Sequence, residues 1–138
     1  MTRLFPLAAL MIAAPAFAAS PIEGQWTNPS RDVTVRIVPC GKRTWCGRVV
    51  SASPEARAQA AAGGTSPLVG ATLMRDLVPA DGGGWQGEFF IPDRNLRATG
   101  ALRLVGSKTI EIEGCAVPGI LCRTQRWTRV SARVRRGR

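Results

Sequence analysis

The sequence predicts an all-β protein, an antiparallel up-and-down β-barrel of about eight strands with one short helix or irregular insertion. Three observations lead there. Apolar and polar residues alternate with a period of two along most of the chain beyond Trp26. Turn-forming clusters, PCGKR, ADGGG, PDRN and VGSK, separate the alternating runs at hairpin spacing. The runs number about eight, the count that closes a small barrel.

The N-terminal residues stand apart from that pattern. Arg3 precedes an almost wholly apolar run over residues 4–17, and Ala16-Phe17-Ala18 is a small-x-small cleavage signature. This reads as a secretory signal peptide over residues 1–18, because about 14 apolar residues are too few to span roughly 30 Å of hydrocarbon. Ala19 rather than a cysteine follows the cleavage signature, which argues against a lipid anchor. Residues 19–130 are expected to form one barrel domain, and 131–138 a basic disordered tail. The expected location is the periplasm or the medium beyond it.

Within the domain, the first strand falls near Trp26. VTVRIV (33–38) sets Val33, Val35 and Ile37 on one face, and CGRVV (46–50) returns after a short turn. SPEARAQAAAGG (53–64) breaks the alternation. Its early proline and closing Gly-Gly suit a short helix, or else a loop or lid, and its alanines bury little. Extended structure resumes in PLVGATLMRDL, with a strand over about 71–77. WQGEFFIP (85–92) places Trp85, Phe89 and Ile91 on the face of Gly87. NLRATGALRLV (95–105) sets Leu96, Ala98, Gly100, Leu102 and Leu104 against Arg97, Thr99, Ala101 and Arg103, and Gly100 marks a bend or bulge. KTIEIEG (108–114) sets Ile110 and Ile112 against Glu111 and Glu113. CRTQRWTRV (122–130) divides into Arg123, Gln125, Trp127 and Arg129 on one face and Thr124, Arg126, Thr128 and Val130 on the other.

Composition removes several function classes. The formal net charge is +10, but Arg3 lies in the leader and Arg133, Arg135, Arg136 and Arg138 in the tail, so the body carries about +5. Peripheral contact of the tail with an anionic envelope is one expectation. Nucleic acid is not expected as a partner, since the arginines are spread singly over alternating strands of an exported chain. There is no histidine, which excludes Ser-His-Asp and Cys-His nucleophile systems. Glu111 and Glu113 share a face at a spacing open to acid–base work, but that face lies opposite two isoleucines and reads as solvated. Neither an enzyme activity nor a cofactor is expected, and no later segment is apolar enough to span a membrane.

The four cysteines fall into two local couples, with five residues between Cys40 and Cys46 and six between Cys115 and Cys122. An even count in an exported chain favours disulfides, and four cysteines allow three connectivities. Each couple flanks turn residues, so Cys40–Cys46 and Cys115–Cys122 are the expected pairs. A zinc site of all four is the alternative, but the spacings exceed the usual two to four residues.

Several motifs in order carry a resemblance: PIEGQWTNP, VRIVPCGKRTWCGRVV, PLVGATLMRDL, GGGWQGEFFIPDR, IEIEGC and LCRTQRWTRV. Together they resemble a bacterial exported family known as domain of unknown function 2147, over about residues 21–130. The resemblance implies a lipocalin-like barrel of the calycin type and no established activity. Lipocalins proper carry Gly-x-Trp on the first strand, matched here by Gly24 and Trp26. They also carry a late arginine that packs across that indole, and Arg129 is the matching residue by order. All three are expected to serve structure.

A small barrel either fills with side chains or holds one ligand in its mouth. If Trp127 faces inward, Arg123 and Gln125 do as well, and a buried arginine needs a partner or an anionic ligand. The expected ligand residues are Trp85, Phe89, Arg123, Gln125 and Trp127, and the expected ligand a small apolar or amphipathic molecule, here an acidic amphiphile. The alternative is a structural or interaction protein of the envelope with a filled barrel.

Overall fold

The computed structural model describes residues 3–6, 8–11, 19–117 and 121–131. The expected cleavage signature, residues 118–120 and the tail arginines lie outside the described residues. The strands are β1 (Gly24–Thr27), β2 (Val33–Gly41), β3 (Thr44–Ala52), β4 (Thr72–Pro79), β5 (Trp85–Ile91), β6 (Leu96–Leu104), β7 (Thr109–Val117) and β8 (Leu121–Arg129). Each pairs antiparallel with the next, and β8 returns to β1 to close the barrel. The one helix, α1 (Pro54–Ala62), lies between β3 and β4.

The alternation sorts side chains into two sets. Val35, Ile37, Val49, Leu77, Phe89, Leu102, Ile110, Ile112 and Trp127 are all buried in the interior. Burial of each such side chain stabilises by about 1.5–3 kcal/mol. Arg36, Arg48, Arg97, Arg103 and Arg126 stay exposed on the intervening positions. The period of two fails where the strands bend. Leu73 and Met74 are consecutive in β4 yet both buried, at register shifts against β3.

One end of the barrel is shut. Ile22 is fully buried, and its carbonyl accepts from the indole Nε1 of Trp26 at 2.8 Å. The guanidinium carbon of Arg129 lies 4.2 Å from the centroid of the Trp26 ring. The same guanidinium donates to the carbonyls of Glu23 (2.9 Å), Pro21 (2.6 Å) and Ser107 (3.1 Å). Gly24 makes room for it. Its φ is 126°, and a Cβ there would sit 2.9 Å from Arg129 Nη1. The Gly-x-Trp signal and the late arginine are thus two halves of one packing unit.

The other end carries α1. Ser53 caps the helix by accepting from the Ala56 amide at 3.1 Å, and Pro54 follows in the first turn. Gly63 ends it, and a Cβ on Gly63 would overlap the Asp93 carbonyl of the β5–β6 turn. Ala56 and Ala60, one turn apart, are the buried face. Thr65 Oγ1 then donates to the Pro92 carbonyl at 2.9 Å. The segment expected as helix or loop is a helix, and it is fastened to the β5–β6 turn. Both expected disulfides, Cys40–Cys46 and Cys115–Cys122, are present. They commit all four sulfurs and leave no thiolate set for the zinc alternative.

Candidate ligand-binding site

The interior is packed around Trp26, Ile37, Leu77, Leu102 and Ile110 toward the shut end. Toward the α1 end it opens into a cavity of about 500 Å³. The walls are apolar: Leu73 and Met74 from β4, Phe89 and Ile91 from β5, Ala98 from β6, Ile112 from β7 and Trp127 from β8. The rim is polar. Asp93 and Arg94 come from the β5–β6 turn, and Arg123 and Gln125 from β8.

A row of glycines shapes the wall beside Arg123. Gly87, Gly100, Gly114 and Arg123 are register partners across β5 to β8. The first two glycines are required by close packing. A Cβ on Gly87 would come 2.7 Å from the Arg75 carbonyl, and one on Gly100 2.7 Å from the Phe89 ring. Gly114 differs, because a Cβ there would meet nothing within 4 Å. Its missing side chain widens the cavity next to Arg123.

The polar groups of β8 are unevenly engaged. Trp127 Nε1 donates to Gln125 Oε1 at 3.1 Å. That bond occupies the Gln125 acceptor and leaves its two amide N–H donors for another group. Arg123 is exposed, and its side chain makes no hydrogen bond or ion pair with the described residues. The same holds for the Arg94 side chain. Two guanidiniums thus stand at the mouth, with Asp93 as the one carboxylate of the lining.

Four of the five expected ligand residues, Phe89, Arg123, Gln125 and Trp127, meet at this cavity. Trp85 does not line it. It faces inward opposite Leu102 at the start of β5, four residues from Phe89 toward the shut end, and its indole nitrogen is buried without a hydrogen-bond partner among the described residues. Arg94, Leu73 and Met74 line the site but were not among the expected residues. The Glu111 carboxylate is held on the outer face by Arg103, at 2.7 and 3.0 Å, and by Arg126 at 3.4 Å. It serves the wall of the barrel. Glu113 lies on the same exposed outer face.

Comparison with known proteins agrees with this architecture. The fold is similar to that of a solved protein from Helicobacter pylori, HP1028, described as belonging to the lipocalin family. The TM-score is 0.63 over 83% of this chain and 86% of that one, at 10% sequence identity, so the likeness is one of fold. No curated protein matches the sequence. A family model matches residues 24–129, from the first residue of β1 to the last of β8. The chain belongs to that bacterial family, described as an uncharacterized protein conserved in bacteria (DUF2147).

Proposed function

We propose that this protein is an exported binding module for a small acidic amphiphile, carrying it in the open half of the barrel and catalysing no reaction. The observation that supports this most is an apolar cavity of about 500 Å³ whose rim bears two guanidiniums without partners among the described residues. That volume falls in the roughly 300–1,000 Å³ range of small-molecule sites. The apolar tail lies against Met74, Phe89 and Ile112. The head is met by Arg123, Arg94 and the amide donors of Gln125, because charge-assisted hydrogen bonds from arginine suit a carboxylate or phosphate. The cavity weighs against a barrel filled along its whole length. Two disulfides accord with an oxidising compartment, and among the described residues no helix is long and apolar enough to cross a membrane.

The test is organic extraction of the purified protein followed by mass spectrometry. A stoichiometric acidic lipid or fatty acid is the expected outcome. Recovery of only neutral or cationic species would overturn the assignment of the head group.

A further inference from the structure

The barrel wall is electrostatically two-sided, and the cations of one side have no carboxylate partner among the described residues. Six of the nine acidic residues, Asp76, Asp81, Glu88, Asp93, Glu111 and Glu113, fall between the start of β4 and the end of β7. There two of the outer arginines, Arg97 and Arg103, find carboxylate partners, while Arg75 makes no ion pair with the described residues. Arg97 pairs with Glu88 at 2.8 Å, and Arg103 with Glu111 at 2.7 Å. The β2–β3 hairpin is the opposite case. Residues 33–52 hold Arg36, Lys42, Arg43 and Arg48 and no acid. None of these four side chains makes an ion pair or hydrogen bond with the described residues.

Their arrangement is unfavourable for the isolated fold. Arg36 and Arg48 are direct cross-strand partners, both exposed on the outer face. Like charges so placed lie about 5 Å apart at Cβ and repel. Lys42 and Arg43 fill a two-residue turn, where Arg43 takes a left-handed φ of 55°. Asparagine and glycine adopt that conformation more readily. The Cys40–Cys46 disulfide clamps the strands next to this turn. Beside the cations, Val38 and Val50 are 37% and 40% exposed.

We infer that the outer face of the β2–β3 hairpin is a docking surface for an anionic phospholipid bilayer. Four unpaired cations on one clamped hairpin complement a negatively charged headgroup layer, which relieves the Arg36–Arg48 repulsion. The two valines reach toward the apolar side of the interface, which a purely polar polyanion does not reward. The surface is on the side of the barrel, so contact through it leaves the cavity mouth beside α1 uncovered. The inference does not depend on what the cavity holds.

Flotation with vesicles tests it, using the chain from Ala19, since among the described residues no strand or helix includes an earlier one. The expected result is binding to phosphatidylcholine vesicles containing phosphatidylglycerol, reversed by salt, and little binding to phosphatidylcholine alone. The double variant Arg36→Gln/Arg48→Gln is expected to bind on the order of tenfold more weakly. A charge-matched control, Arg97→Gln/Arg103→Gln, is expected to bind as the parent does. Substituting glutamine for the four tail arginines is expected to leave the dependence on Arg36 and Arg48 in place. Equal weakening in the control pair would reduce the effect to net charge and overturn the assignment. So would indifference to the Arg36/Arg48 change, loss of binding with the tail substitutions alone, or a dimer dependent on Arg36 and Arg48 in place of lipid binding.

Discussion

Arg129 satisfies three carbonyls and an indole face with a single guanidinium. Its removal leaves the Pro21 and Glu23 carbonyls without that donor and strips the cover from Trp26. The cation–π contact is worth about 0.5–2 kcal/mol, and hydrogen bonds from a charged donor about 1.5–3 kcal/mol. Arg129→Ala is therefore expected to destabilise by about 2–4 kcal/mol in urea unfolding, with the slope of the transition unchanged. Arg129→Lys recovers only part, since an ammonium has neither the planar stack nor the fork. The glycines of the β5–β8 row separate packing from cavity shape. Gly100→Ala forces a methyl against the Phe89 ring and the Glu113 carbonyl, and a loss of about 1–3 kcal/mol is expected. Gly114→Ala, with open space at its Cβ, is expected to be neutral or slightly stabilising. Equal destabilisation by the two substitutions would contradict this account of the row. At this scale the sequence was uneven. Arg123 and Gln125 were legible because a period of two ties them to Trp127. Arg94 was not, because a turn residue has no period to fix its direction. Trp85 shows the limit of periodicity, which gives the face of a strand and not the height along the barrel axis.

The strands themselves were legible almost throughout, because one buried face forces strict alternation and short turns fix the register. Where a bulge breaks the period, as at Leu73 and Met74, the sequence offered no rule for choosing the face. The helix was half legible: Ser53, Pro54 and Gly63 mark its ends, but alanines alone did not say whether it would dock. What seats it is a side-chain contact, Thr65 to the Pro92 carbonyl, and the close approach of Gly63 to Asp93. Neither is local in sequence. The β7–β8 hairpin carries Arg123 and Gln125 and is clamped by Cys115–Cys122. A loop this short contributes about 2–3 kcal/mol in the chain-entropy view. The Cys115→Ser/Cys122→Ser variant is expected to lose about that much stability in thermal or urea unfolding. A loss much larger than this would mean that the bond holds the native hairpin against strain, rather than only restricting the unfolded chain.

The whole molecule divides along its axis. The half around Trp26 and Arg129 is packed, and the half beside α1 keeps a cavity. Barrel closure was expected from the strand count, the local disulfide pairs from the turn residues that each couple flanks, and the Trp26–Arg129 stack from the resemblance to lipocalins. Whether the interior was filled did not follow from the sequence, because volume depends on how eight inner faces meet. On the proposed function, the cavity holds an acidic amphiphile by its head at Arg123. Titration with a fluorescent fatty acid, on the parent, Arg123→Gln and Gly114→Leu, tests it most directly. Gly114→Leu is expected to abolish binding by occupying the cavity while the fold stays intact by circular dichroism. Arg123→Gln is expected to weaken it by about tenfold or more, consistent with losing a charge-assisted contact of about 1.5–3 kcal/mol. A neutral alcohol of the same chain length should bind the parent and Arg123→Gln alike. Undiminished fatty-acid binding by Gly114→Leu, or equal binding by the parent and Arg123→Gln, would contradict the account.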